Sequence, residues 1–240
     1  MDNAIRESIQ IIWKQLLKSQ PTSRAELAKL CGFSKVTASS CVDWLLDKGL
    51  VQELGVTEIR RGRPPMLLSV NGAAGVLVGI EADKISSKIA VTDLAGSLLE
   101  RHDLPAIDSD PKKFVGQVSH YLMQFRKSYA DRRLGVAGVG FAIVGSYNQE
   151  EGIIEYVANQ MAWNHYPFRL EMEKMNPDIP FLVSQDCKSI SARRSPVRDV
   201  RRIGLYGVSL GQLGNRRRTL RRHHGKDHPV HPLWPCDHQL

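Results

Sequence analysis

Apolar residues recur at helical spacing from the start of the chain. Ile5, Ile9, Ile12, Leu16 and Leu17 mark one face, and the pattern stops at Ser19-Gln20-Pro21, where a proline without an N–H cannot continue a helix. Thr22 and Ser23 then offer a cap, and Glu26, three residues beyond Ser23, completes a capping-box pattern ahead of Leu27, Ala28 and Leu30. Cys31-Gly32-Phe33 breaks this second, short helix. Ser34 can cap a third, whose Ala38, Cys41, Val42 and Leu45 share one face and which ends at Gly49. Leu50-Val51 can start a strand and residues 67–70 can return beside it, which leaves residues 55–65 as the loop between them. Two helices joined by a tight Gly-containing turn, followed by such a ribbon, predict a winged helix-turn-helix.

From Val76 the texture changes to Gly-bounded apolar strands, expected at residues 76–80, 88–92 and, after the Leu94-Ala95-Gly96 turn, 97–101. Asp110-Pro111 opens a long helix in which Phe114, Val118, Tyr121, Leu122, Phe125 and Tyr129 keep the 3.6-residue period. A strand at 136–144, a helix at 168–175 and a strand at 181–184 complete an α/β pattern without an internal repeat. Beyond about residue 190, Arg pairs, the run Arg216-Arg217-Arg218, five histidines and scattered Pro and Gly leave neither a helical stripe nor strand alternation. That tail is expected to be disordered, and its abrupt onset resembles a GC-rich gene read in a shifted frame. The expected division is a DNA-binding domain over 1–72, a partial sensor domain over 73–190 and an Arg/His-rich tail over 191–240.

A hydrophobic content of 42% in 240 residues supplies packed cores for both domains. No apolar run approaches membrane-spanning length and no signal-peptide pattern is present, so a cytoplasmic protein without a membrane partner is expected. The net charge of +8 suggests nucleic acid, but its distribution weakens that inference. Residues 191–240 hold ten Arg and one Lys against three Asp, a surplus equal to the whole net charge, and the other 190 residues balance. Cys31, Cys41, Cys187 and Cys236 form no C-x-x-C pair and read as reduced thiols.

In a helix-turn-helix the second helix enters the major groove, with its first turns facing base edges. Here those turns carry Ser34, Lys35, Val36, Thr37, Ser39 and Ser40. Small hydroxyls allow close approach and hydrogen bonding, and Lys35 adds charge at the entrance. The alternative is that Ser34 merely caps and the others are solvated. Arg60, Arg61 and Arg63, in Arg60-Arg61-Gly62-Arg63-Pro64-Pro65, set three guanidinium groups on a proline-stiffened segment that can reach into a narrow minor groove. A solvated basic loop is the plainer reading. Helix and basic wing together are more specific than either part.

The residues that bear on family are the run from Ser23 to Ala28, Gly32-Phe33-Ser34-Lys35, the run from Leu45 to Val51, and Arg61-Gly62-Arg63-Pro64-Pro65. Val78-Gly79-Ile80-Glu81, Thr92-Asp93-Leu94-Ala95-Gly96, the run from Gly138 to Gly145, the run from Ala158 to Trp163, and Gln185-Asp186 follow in order. From about residue 5 to 190 the chain resembles the ROK (repressor, ORF, kinase) transcriptional regulators. The resemblance implies a sequence-specific DNA-binding repressor of sugar-metabolism genes, with double-stranded DNA as partner and a sugar or sugar phosphate as effector. It implies a partial actin-like (ribonuclease H-like) ATPase fold for the second domain. Because the family's dimer contacts lie largely in that domain, a homodimer is an expectation tied to it.

Sugar kinases of the family use an Asn after the fourth strand to bind the sugar and an Asp in an Asn-Asp pair as base. The matching positions are Asn159 and Asp186, with Gln185 replacing the usual Asn. A turn former at Asn159 and a strand-end cap at Asp186 are the alternatives. Where the family's phosphate turn is Gly-Gly-Thr or similar, this chain has Asp83-Lys84-Ile85, whose charge and bulk disfavour phosphate. The family's zinc cluster and second glycine-rich loop have no counterpart. His223, His224, His228, His231, Cys236 and His238 fit no zinc template. The expectation is a non-enzymatic regulator without cofactor or metal. A ROK-type sugar kinase and a non-functional truncated product are the rivals.

Overall fold

A computed structural model describes residues 3–56, 65–107 and 110–184. Three helices open the chain: α1 (Asn3–Ser19), α2 (Arg24–Cys31) and α3 (Lys35–Asp47), with β1 (Thr22–Ser23) before α2. Helix α1 buries Ile9, Ile12, Trp13 and Leu16, which lie at i, i+3, i+4 and i+7, while Ile5 stays half exposed a turn earlier. Trp13 joins the face that the apolar spacing marked, and Leu17 is partly buried against the same cluster. Ser23 caps α2 by accepting from the Glu26 N–H at 3.2 Å, as the capping pattern predicts. Gly32, at φ +67°, closes α2 in the left-handed region and donates its N–H to the carbonyls of Ala28 and Lys29.

Strands β2 (Val51–Val56) and β3 (Met66–Val70) pair antiparallel, with Val51 opposite Val70 and Val56 opposite Met66. A register shift between Glu53 and Gly55 bends the ribbon. β1 adds a third strand, Thr22 against Leu68 and Ser23 against Leu67. The sequence pattern offers these two residues as a cap alone, because two residues are too few to show alternation.

A five-stranded sheet follows. β4 (Val76–Ala82), β5 (Ser87–Asp93) and β6 (Leu98–Leu104) form the expected meander, α4 (Pro111–Ser128) crosses over, and β7 (Val136–Ile143) returns parallel to β4. Next come β8 (Ser146–Asn148) and β9 (Ile153–Tyr156), α5 (Phe168–Met175) and β10 (Phe181–Ser184), the last parallel to β7. The order is β10-β7-β4-β5-β6. All eight residues of β7 are buried, which is why that strand reads as a continuous apolar run. β6, at the edge, exposes Leu98 and Leu99. α4 lays Phe114, Val115, Val118, Leu122 and Phe125 on the sheet, and Asp110 caps it by accepting the Lys112 N–H at 2.9 Å.

Two apolar clusters result. One fills the sheet, α4, α5 and the β8–β9 hairpin. The other begins in α1, α2 and α3 and continues without a break into Ala74, Leu77, Ala90, Leu94, Leu134 and Ala137. The helices and one end of the sheet therefore share one apolar cluster, joined through Val51, Leu68, Val70 and Ala74. Among the described residues, no helix is long and apolar enough to cross a membrane.

Candidate functional site

Helix α3 is amphipathic, and the candidate residues lie on its polar side. Ala38, Cys41, Val42 and Leu45 are buried, while Lys35, Val36, Thr37 and Ser40 are exposed and Ser39 is half buried. Burial pushes the Cys41 thiol up, with Cys31 nearby adding to the shift, and burial also raises Cys31. Both side chains serve as small apolar groups of the module.

Ser34 is the N-cap: its Oγ accepts the Thr37 N–H at 3.0 Å and lies 2.8 Å from Thr37 Oγ1. The two hydroxyls nearest the helix tip are thus engaged with each other, which leaves Lys35, Ser39 and Ser40 as the polar groups not used by the cap. Arg24, the first residue of α2, pairs with Asp43 on α3 and, at 3.4 Å, with Glu53 on β2. That arrangement offsets part of the charge of a carboxylate on the exposed side of α3. Arg60, Arg61 and Arg63 lie outside the described residues. They belong to the segment joining Val56 to Met66, two residues that pair across the ribbon.

The far end of α3 is tied to the sheet. Gly49 sits at φ +61° and its carbonyl accepts from Asn71 Nδ2 at 3.0 Å. From the loop before β7, Arg133 donates from both terminal nitrogens to the Asp47 carbonyl at 3.4 Å, covering the end of the helix. Its neighbour Arg132 donates to the carbonyls of Gly72 and Gly75 at 3.4 and 3.3 Å. Sequence reading missed this pair, since two adjacent arginines in a loop carry no periodic signal.

At the other end of the sheet, β4, β7 and β10 run parallel, so their C-terminal ends share one edge, the usual ligand-bearing edge of an α/β sheet. β4 leads into Asp83-Lys84-Ile85, β7 into Val144-Gly145, and β10 into Gln185-Asp186. Asp186 lies outside the described residues. Asn159, exposed at φ +60°, follows β9. Gln160 Nε2 donates to the Ile107 carbonyl at 3.4 Å, and the Ile107 N–H donates to the Asp83 carbonyl at 2.9 Å. These bonds stitch the Asn159 loop to the end of β4.

The Asp83 turn is closed on itself. Asp83 Oδ1 accepts the Ile85 N–H at 2.9 Å, the Asp83 N–H donates to Ser87 Oγ at 3.1 Å, and Ile85 is 89% exposed. The amide that a bound phosphate would need there is taken by a carboxylate. Among the described residues no cluster of His, Cys, Asp and Glu could hold a metal ion. The histidines of the tail, like all of residues 185–240, lie outside the described residues.

No protein-family model matches the chain. A xylose repressor from Bacillus spizizenii is 30% identical over 151 residues, which is 60% of this chain and 38% of that protein. A xylose repressor from Caldicellulosiruptor bescii is 26% identical over 181 residues, or 75% of this chain and 45% of that protein. The chain thus spans less than half the length of these curated relatives. Among solved structures, a ROK family transcriptional regulator, a homologue of the E. coli MLC protein, superposes with a TM-score of 0.58 at 22% identity. The match covers 76% of this chain and 46% of that one. The mixed α/β fold is that of the regulator, and the resemblance read from the motifs holds in both comparisons.

Proposed function

We propose that this chain, which stands with the ROK regulators in motif, sequence and fold, is the DNA-binding part of a transcriptional repressor of sugar-metabolism genes. In this reading residues 1–72 are a winged helix-turn-helix, residues 73–190 are a non-catalytic sugar-sensing domain, present in part, and residues 191–240 belong to neither. The observation that carries it is α3: a capped helix, buried on one side against α1 and α2, whose other side offers Lys35, Ser39 and Ser40; the sequence between β2 and β3 adds Arg60, Arg61 and Arg63. Lys35, Ser39 and Ser40 face the major groove. Ser34 and Thr37 shape the helix tip and reach phosphate with what capacity their mutual bond leaves. The wing arginines enter the adjacent minor groove.

The sugar effector is assigned to the edge where β4, β7 and β10 end, with Asn159 and Asp186 as hydrogen-bonding partners for its hydroxyls. The names of the relatives make xylose the first sugar to test. Phosphoryl transfer is not part of the reading, because the self-closed Asp83 turn presents a carboxylate where a phosphate would sit.

The test is a duplex enriched by the full chain from a random pool, titrated at several salt concentrations. Replacing Arg61 and Arg63 together with Ala is expected to weaken binding and to lower the log–log salt slope by about 0.9 per lost phosphate contact. An unchanged affinity and slope would refute the wing assignment.

A further inference from the structure

Val36 is 76% exposed, at the second position of α3, with Lys35 before it and the mutually bonded Ser34 and Thr37 on either side. A β-branched side chain there is a poor helix former and gains nothing from burial. Every other apolar residue of this helix is turned at least partly inward: Ala38, Cys41, Val42 and Leu45 are buried, and Trp44 and Leu46 pack against the same cluster. Val36 therefore stands alone as an apolar group projecting from the tip of the helix. One turn on, on the same side, is the exposed hydroxyl residue Ser40.

Among the groups displayed in the major groove of duplex DNA, the apolar one is the C5 methyl of thymine, and small aliphatic side chains are its natural contact. The hydroxyls of Ser34 and Thr37 are drawn toward each other, so the isopropyl group is the part of the helix tip that meets a base edge without losing a hydrogen bond. Lys35 beside it adds a cation at the helix tip, and Arg24 offsets part of the charge of the exposed Asp43 on the next turns. We propose that Val36 is a specificity-determining residue that reads a thymine methyl in the major groove. This inference rests on the DNA-binding reading above.

The experiment uses the full chain and the duplex that it enriches from a random pool. Each thymine of the enriched motif is replaced in turn by deoxyuridine, which removes the C5 methyl and nothing else. One thymine position is expected to lose about fourfold in affinity, the value of one buried methyl group. In Val36→Ala the parent duplex should bind more weakly, and the deoxyuridine at that position should cost nothing further. Val36→Thr, which keeps the branch and one methyl, should fall between. Because Val36 is exposed and Ala is the better helix former, the helical circular dichroism of Val36→Ala should match the parent, which separates lost contact from lost fold. A motif in which no deoxyuridine matters, or a penalty as large in Val36→Ala as in the parent, overturns the inference and leaves the DNA reading intact. Failure to enrich any sequence overturns both.

Discussion

The two ends of this molecule assemble their sites differently. At the helical end, Ser34, Lys35, Val36, Thr37, Ser39 and Ser40 are near neighbours in sequence, and one capped helix places all of them. At the sheet end, the candidate site draws on the turn after β4 and the loop after β9, far apart in sequence, and on the edge where the parallel strands β4, β7 and β10 end. A site built by local structure needs a helix and a cap; a site built by topology needs the whole sheet. The first tolerates change in the rest of the chain far better than the second.

The largest expected effect tests how far the two ends are separate. Leu45 is fully buried in the cluster that runs from α1 to Ala137, so Leu45→Ala should cost about 2–5 kcal/mol in urea-induced unfolding. Because the cluster crosses from helices to sheet, near-ultraviolet and far-ultraviolet signals should fall in one transition. Two transitions, with the sheet unmoved, would show that the helices fold alone.

Gly49→Ala should come next. It forces a side chain into a left-handed backbone position, at φ +61°, and directly against the Arg133 guanidinium that covers the end of α3. A loss of about 1–3 kcal/mol is expected from the backbone alone. Combining it with Arg133→Ala should recover part of the loss if crowding contributes, and none if the backbone conformation is the whole cost.

Asn159→Gly should have the smallest effect on stability, within about 0.5 kcal/mol, since the residue is exposed and Gly accepts its positive φ without strain. The same change removes the amide assigned to the sugar. A response of operator binding to xylose that survives in Asn159→Gly would remove that residue from the effector site.

The same contrast explains what was legible in the sequence. The cap at Ser34, the stop at Gly49 and the inward face of α3 follow from helical period and capping chemistry, and they place the candidate base-reading residues without any tertiary information. Strands β4, β5 and β7 were legible because burial on both faces makes them apolar runs, whereas the exposed edge strand β6 was legible from the Leu94-Ala95-Gly96 turn before it. The β8–β9 hairpin was not: its strands have three and four residues, and only Tyr147, Ile154 and the nearby Val157 turn inward, too few to set a period. The Arg133 contact to Asp47 joins residues 86 positions apart and leaves no mark in either segment. The closure of the Asp83 turn lay between these extremes. Its composition argued against phosphate, but the bond from the Ile85 amide to the Asp83 carboxylate belongs to the folded loop.

The central claim is that the helical end recognises a particular DNA sequence and does not simply attract a polyanion. Charge alone would favour any duplex, and the surplus in residues 191–240 supplies such charge. The direct measurement is the affinity ratio of the full chain for its enriched duplex over a scrambled duplex of equal length and composition, at physiological salt. Sequence-specific recognition predicts a ratio of about a thousand or more. A ratio near one would contradict the account.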